Sequence, residues 1–371
     1  MTPELQSRLV FIDTSAFENK NFQFSSHKLD QLCGYLEKRK LHLLTTEITI
    51  LEVKKHLNEK AKKAVSTIKK AQKDAMILRN TPSLDCHGIF SDLKEEDISN
   101  ILIGEFDKFL EVSKAETVPI NIVDTSIVFE NYFNELPPFS GGNKKNEFPD
   151  AFVLEAVRKI SEERNHLLYV ISCDGDMKAY AEQHDNIVHL NTVDELINLV
   201  IRNEAELSEP VSFADKVFTR LKLDIIKMLR SKLSDMEFYP ESSDYLDADI
   251  DSIVVNQVNI IDNNIIEVSH NSATYELTIE MLVTAEYTVA NYENSPWDPE
   301  DKEYLFIVTD KFRAKHKEET FVYVKLNYDD ELAARATVEE IEFTDSLISL
   351  DIDSAEITFQ EPSYDPDDYG E

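Results

Sequence analysis

Between residues 8 and 202 the chain alternates short apolar runs with longer segments whose apolar residues recur at helical spacing, and this alternation restricts the fold more than any other feature. Strands read at 8–12, 41–45, 120–123, 167–172 and 187–190, and helices at 28–40, 47–79, 95–113, 150–163, 176–183 and 193–202. Connections of this length cannot be hairpins. They require crossovers between parallel strands, hence a mainly parallel sheet covered on both faces. The fold class of this part is α/β.

A second texture follows. Residues 210–233 predict one amphipathic helix, with Phe213, Val217, Leu221, Ile225, Leu229 and Leu233 every four residues. Beyond Met236, strands read at 253–255, 260–261, 265–268, 275–289, 304–309, 320–326, 336–343 and 347–352, with Asp262-Asn263-Asn264 as a hairpin connection. The organisation expected is an α/β domain over 1–203, a connecting helix over 204–236, and a C-terminal acidic, mainly antiparallel β (α+β) domain over 237–361. An acidic tail over 362–371 is too poor in core-forming residues to order itself. Residues 134–146, with Pro137-Pro138 and Gly141-Gly142, lack periodicity and read as a mobile loop.

The net charge of −34 argues against a polyanionic partner, but it is unevenly spread. Residues 201–371 carry 14 Lys and Arg against 40 Asp and Glu, a balance of −26; residues 1–200 carry 24 against 32, a balance of −8. Within the first part, residues 54–73 hold eight lysines and one Glu, a local basic stripe. Other classes fail on motif grounds. Gly142-Asn143-Lys144-Lys145 is not a phosphate-binding loop, no Gly-x-Ser-x-Gly elbow occurs, and Cys33, Cys86 and Cys173 form no CxxC pair. His56, His166, His184 and His189 lack paired spacing for zinc. No run reaches the roughly 18 apolar residues of a spanning helix, and the first residues lack the basic-then-apolar order of a signal peptide. The expectation is a cytoplasmic protein without a membrane partner.

Four carboxylates remain. Asp13 closes Leu9-Val10-Phe11-Ile12, Glu52 lies in the second turn of a helix beginning near Glu47, Asp150 opens the helix after Phe148-Pro149, and Asp174 follows the strand ending in Ser172. Asp13 and Asp174 belong at the carboxyl ends of parallel strands, where functional groups gather. Each acid alone has an ordinary explanation, since a strand-end Asp can cap the next helix and a helical Glu can face water. Four acids at the edges of buried elements are tolerated together only where something cationic or protonic offsets their repulsion.

The order strand-Asp-Thr/Ser, helix-Glu, Asp opening a helix, and strand-Ser-x-Asp-x-Asp resembles the PIN domain family of metal-dependent nucleases, in particular its PIN-like branch with a longer, lysine-bearing second helix. The matching residues are Phe11-Ile12-Asp13-Thr14-Ser15-Ala16-Phe17, Ile50-Leu51-Glu52-Val53-Lys54-Lys55-His56, Lys145-Asn146-Glu147-Phe148-Pro149-Asp150-Ala151-Phe152 and Ile171-Ser172-Cys173-Asp174-Gly175-Asp176-Met177. The resemblance covers residues 8–202 and departs from the family at Cys173, where a polar residue often stands. It implies a PIN-like three-layer sandwich and a ribonuclease-like site with one or two Mg²⁺ or Mn²⁺ ions. The site residues it implies are Asp13, Glu52, Asp150 and Asp174, with Asp176 as an outer acid and Glu147 a weaker candidate.

The chemistry agrees independently. Mg²⁺ takes oxygen ligands and keeps several waters, so a few carboxylates can hold it open toward a phosphate, and two such ions can clamp an in-line displacement. Asp13 and Asp150 are the expected primary ligands, Asp174 and Glu52 shared or water-mediated ones, and Thr14 and Ser172 supporting hydroxyls. Lys54, Lys55, Lys62, Lys63, Lys69 and Lys70 continue the helix of Glu52, and Lys144-Lys145 lies in the loop before Asp150. All eight are candidates for nucleic-acid contact. The expected activity is endonucleolytic hydrolysis of RNA. Alternatives are a structure-specific DNA nuclease taking single-stranded DNA and a non-catalytic binding module. The acidic domain is left for regulation, a protein partner or homo-oligomerisation, or simple solubility, and the setting for toxin action, RNA decay or defence.

Overall fold

The chain divides into two compact units, Met1–Val200 and Ile201–Glu371. The computed structural model describes residues 5–360 apart from 26, 82, 141–146, 205–206, 243–244, 246, 299–302 and 329–334. Among the described residues no helix is long and apolar enough to cross a membrane.

The first unit is built on five parallel strands, β1 (Leu9–Ile12), β2 (His42–Thr46), β3 (Glu116–Val118), β4 (Leu168–Ile171) and β5 (Ile187–Leu190), in the order β3-β2-β1-β4-β5. Every residue of β1 and β4 is buried, which is what strands covered on both faces demand. Leu9 and Phe11 join Leu44, Leu168 and Val170 in a core with Val128, Leu154 and Tyr180. Val10 and Ile12 alternate to the opposite face. Helices α1 (Thr14–Asn19) and α2 (His27–Glu37) connect β1 to β2; α3 (Glu47–Asp74) and α4 (Glu95–Ser113) connect β2 to β3. Helices α5 (Thr125–Phe133) and α6 (Phe148–Arg164) lead to β4, α7 (Gly175–Ala181) leads to β5, and α8 (Val193–Asn203) follows it. Because β2 and β4 lie on opposite sides of β1, the chain reverses its winding direction there, and a crevice opens at the carboxyl ends of β1 and β4.

Three sequence expectations change. Residues 120–122 form a single 3₁₀ turn rather than a strand, capped by Pro119; the strand is the three-residue edge β3 just before it. The long second helix stops at Asp74 and gives way to a 3₁₀ turn over Met76–Asn80. Helices α1 and α5 were not anticipated. Of the loop read at 134–146, residues 141–146 lie outside the described residues.

The second unit opens with helix α9 (Ser208–Ser234), the amphipathic segment read at 210–233. Its strands are β6 (Glu237–Glu241), β7 (Asp249–Val268), β8 (Ser272–Asn291), β9 (Trp297–Asp298), β10 (Glu303–Tyr304), β11 (Val308–Asn327), β12 (Thr337–Phe343), β13 (Leu347–Asp351) and β14 (Glu356–Gln360). The antiparallel sheet runs β12-β11-β8-β7, with β14 also on β11; β6 pairs in parallel with β13, and β9 pairs with β10. Residues of β8 alternate between buried and part-buried, and α9 packs its buried Val217, Leu221, Ile225 and Leu229 against β7 and β12.

Asp262-Asn263-Asn264 is not a turn. It lies inside β7, which spends 20 residues, 249–268, opposite 16 residues of β8, 273–288. The surplus is taken up at four register shifts, the third between Ile260 and Asp262. The turn itself is at 269–272, where the Ser269 amide donates to the Ser272 carbonyl at 2.8 Å and side chains of Ser269 and Asn271 complete the bonding.

Candidate metal centre

Three strand-to-helix junctions and the start of α6 converge on the crevice. Asp13 ends β1 and caps α1, accepting from the Ser15 amide at 3.1 Å. Its Oδ2 also accepts from the hydroxyls of Ser15 and, at 3.0 Å, Ser172. All three bonds fall on Oδ2, so Oδ1 is the oxygen left to face the crevice. Glu52 is carried by the second turn of α3, and Thr14 Oγ1 donates to its Oε2 at 2.9 Å. The side chain that fixes the second acid thus comes from the residue after the first.

Asp150 is the third residue of α6. Its ordinary role as a helix cap does not apply, because Glu147 occupies the cap position and α6 has no side-chain cap bond. Asp150 is free for other work. Carboxylate oxygens of Asp13, Glu52 and Asp150 lie within 4.8 Å of one another, with Asp13 buried and the other two half-buried. No Lys, Arg or His forms an ion pair with any of the three among the described residues.

Electrostatics register the crowding. Burial, then the charges of Asp13, Glu52, Glu147 and Asp174, push the Asp150 carboxyl up to about 8. Burial and the charges of Asp176 and Asp174 also raise Glu147, partly offset by a hydrogen bond to Asp150. At neutral pH the site therefore keeps a proton in place of a cation. An all-oxygen, all-anionic donor set fits a hard divalent ion and does not fit the sulfur and nitrogen preferences of zinc or copper. The triad fits a metal site.

Asp174 is close enough for its charge to act on both Asp150 and Glu147, but it falls outside the 4.8 Å group. It caps α7 by accepting from the Asp176 amide at 2.7 Å, while its own amide donates to Ser172 Oγ at 3.0 Å. Asp176 accepts from Ser140 Oγ at 3.1 Å and acts electrostatically on Glu147. Ser172, fully buried, ties the two strand ends together through Asp13, Ser15 and the Asp174 amide. Sequence reasoning undervalued Ser15, which holds Asp13 and also accepts from the Cys173 amide at 3.0 Å. The Cys173 thiol turns to the Asn191 carbonyl and, raised by burial, stays a thiol.

The lysines of α3 divide into two groups. Lys54 pairs with Asp107 at 2.7 Å, Lys55 with Glu59 at 3.9 Å, and Lys60 with Glu18 at 2.5 Å. Lys62, Lys63, Lys69 and Lys70 are exposed and form no ion pair among the described residues. Lys62, Lys69, Lys70 and Lys73 line an open cleft of about 410 Å³ with Glu95. At 100° per residue, Lys63 and Lys70 stand within about 20° of Glu52 around the helix axis, roughly 16 and 27 Å further along it. Lys144 and Lys145 lie outside the described residues.

Residues 10–177 match the family model described as PIN domain. No curated protein and no solved structure matches the chain, and nothing in the family comparison covers the second unit. The parallel sheet, the acids at its carboxyl ends and this match agree, and the first unit carries a PIN domain, a nuclease-type fold with its acidic triad assembled.

Proposed function

We propose that this protein is a metal-dependent endonuclease that hydrolyses phosphodiester bonds, with RNA as its substrate. The observation that carries the reading is the convergence of Asp13, Glu52 and Asp150 within 4.8 Å, with no ion pair to any of them among the described residues. Asp13 and Asp150 would hold the ion directly, and Glu52 and Asp174 would share it or reach it through water, with Asp176 outside them. Mg²⁺ and Mn²⁺ are the ions such a set prefers. When bound, one or two of them would supply Lewis-acid stabilisation of phosphate charge and an acidified water.

The rest is the work of the chain. Ser15 and Ser172 fix Asp13 through Oδ2 and aim Oδ1 outward. Thr14 sets the rotamer of Glu52. Asp150 would have to lose its proton to hold a cation, so loading should improve with pH through neutrality. Lys63 and Lys70, on the azimuth of Glu52, would hold backbone phosphates and lead a strand toward the triad without reading its bases. The same contacts would accept single-stranded DNA, so a flap-type DNA nuclease is the competing outcome. The acidity of the second unit keeps polyanions on the first and leaves the second for a protein partner, self-association or regulation.

A substrate panel tests the reading. Single-stranded RNA, folded RNA, single-stranded DNA and flap DNA are incubated with Mg²⁺, Mn²⁺ or EDTA, using wild type, Asp13→Asn and Asp150→Asn. RNA should be cut only with metal and only by wild type. Equal cleavage by either variant, folded as judged by circular dichroism, would refute the site; cleavage confined to DNA would replace the substrate.

A further inference from the structure

The rim of the crevice on the side of Asp150 and Asp176 carries an aromatic cluster that the acidic site does not use. Phe148 opens α6 between Glu147 and Asp150. Its ring lies 5.0 Å from those of Tyr132 and Phe139 and 5.7 Å from that of Phe129, centroid to centroid. Phe129 in turn stacks on Phe133 one helical turn later, at 6.4 Å with 29° between planes. Two links fasten the cluster to the acids: the Glu147–Asp150 hydrogen bond beside Phe148, and the Ser140–Asp176 bond beside Phe139.

The cluster is graded from inside to outside. Phe139 is fully buried and Phe148 half-buried, whereas Phe129 is 47% and Phe133 75% exposed. Core packing accounts for the inner rings and for Val128, which faces the core from the same helix. It does not account for two neighbouring phenyl rings left in water, since the other large exposed apolar residues of this unit, such as Met76, Ile77 and Ile101, offer no paired π face. Around α5 the described charges are Asp124, Glu130 and Glu135 against Lys159, whose Nζ donates to the Ile122 carbonyl and whose charge acts on Asp124. Acids outnumber that one lysine, so a nucleic acid would present a base to the rings and keep its backbone toward the lysines of α3. A base can do so only when it is not buried in a duplex stack.

We propose that Phe129 and Phe133, supported by Phe148, form a stacking platform for an unpaired base next to the scissile phosphate. The proposal rests on the nuclease reading for the word scissile, but the platform is a binding surface in its own right. The strand would run from the free lysines of α3, across Asp13, Glu52 and Asp150, onto the rings. Phosphate recognition on one side is sequence-blind and stacking on the other is nearly so, which together predict strand selectivity without strong sequence preference.

The test is binding of the full chain, in EDTA so that no cleavage intervenes, to a 12-nucleotide single-stranded RNA carrying one 2-aminopurine and to the same RNA annealed to its complement. Phe133→Leu keeps an apolar side chain and removes the π face, Phe129→Leu/Phe133→Leu removes both, and Phe133→Trp enlarges it. The double leucine variant should bind the single strand about tenfold more weakly than wild type and lose the 2-aminopurine quench. Phe133→Trp should bind at least as well as wild type, and weaker duplex binding should be the same in all. Undiminished affinity and quench in the double variant overturn the platform, as does wild-type preference for duplex or failure of wild type to bind either RNA. If the single strand binds through the rings and yet no phosphodiester is cut with Mg²⁺ or Mn²⁺, the nuclease reading fails and the platform stands.

Discussion

Replacing Asp150 by Asn should make the metal-free protein more stable while destroying its response to metal. In the folded protein the Asp150 carboxyl is held up at about 8 instead of the ordinary 3.8 by burial and by Asp13, Glu52, Glu147 and Asp174. A carboxyl that is harder to ionise when folded subtracts stability as pH rises. Below about pH 4 it is protonated in both states and subtracts nothing; between pH 4 and 8 the unfolded chain gains an ionisation that the folded chain resists; above 8 the full penalty is present. At about 1.4 kcal/mol per tenfold, the ceiling at pH 7 is roughly 4 kcal/mol. Asp150 is only half-buried, and water screens such groups, so about 1–2 kcal/mol is the working figure. For a unit of this size that is a rise of about 2–8 °C in melting temperature. Asn keeps the shape and can still donate to Glu147. Unfolding is followed in EDTA at pH 5 and pH 8 by far-ultraviolet circular dichroism. The only tryptophan, Trp297, lies in the second unit, so its fluorescence transition is an internal control that should not move. Saturating Mg²⁺ or Mn²⁺ should reverse the order: wild type gains about 2.7 kcal/mol at a hundredfold excess over Kd, and the Asn variant gains far less. An Asn variant no more stable than wild type at pH 8 in EDTA, or with an equal metal response, would show that the carboxylates do not crowd one cation site.

Further outcomes follow from the same geometry. Ser172→Ala removes a buried hydroxyl bonded to Asp13, Ser15 and the Asp174 amide; it should cost about 1–3 kcal/mol in urea unfolding and weaken metal affinity measured by calorimetry. Thr14→Val is nearly isosteric and loses only the bond to Glu52; stability should change by less than about 1 kcal/mol, while kcat/KM falls with Glu52 unheld. Charge reversal of Lys63 and Lys70 should weaken RNA binding and lower the salt slope by about one per lost phosphate contact, whereas reversal of Lys54 and Lys55, already paired with Asp107 and Glu59, should act mainly through those pairs. Fluorescence anisotropy between 50 and 200 mM salt separates the two. Asp194→Asn removes the fully buried charge paired with Lys20 and should destabilise the first unit by about 1–3 kcal/mol in chemical denaturation.

How much of this could be read in the sequence depended on where the decisive contacts are made. The central strands were legible because strands buried on both faces are continuous apolar runs, and the acids closing them could be placed without coordinates. Edge strand β3 was not, since Glu116-Thr117-Val118 is short and polar on its outer side, with Glu116 bonded to His42 and Arg164. The apolar Ile120-Asn121-Ile122 beside it attracted the assignment. Helix α5 was missed because Ile127, Val128, Phe129, Tyr132 and Phe133 are β-branched or aromatic and weak helix formers. The cap was there to be seen: Asp124 followed by Ser126, whose amide it binds at 2.9 Å. Missing α5 hid the aromatic rim. In β7, bulges break the period-2 pattern every few residues, and the breaks at 255/257 and 260/262 read as the ends of strands.

The sequence also left open whether the acids were caps or ligands, and for two of them the two answers coexist. Asp13 and Asp174 do cap α1 and α7. A cap uses one carboxylate oxygen and fixes the side chain, so capping leaves the second oxygen pre-aimed at no further entropic cost. Glu52 gains the same rigidity from Thr14, but Asp150 has no cap to make, and burial and its acidic neighbours push its carboxyl up. Asp150 is thus an acid of the cluster whose presence helix capping does not explain. If the cluster were a by-product of helix capping, Asp150 would be the first acid a chain could discard with a gain in stability; that it is present, at the carboxyl ends of β1 and β4 and opposite Glu52, is the strongest structural argument that these carboxylates are arranged for a cation.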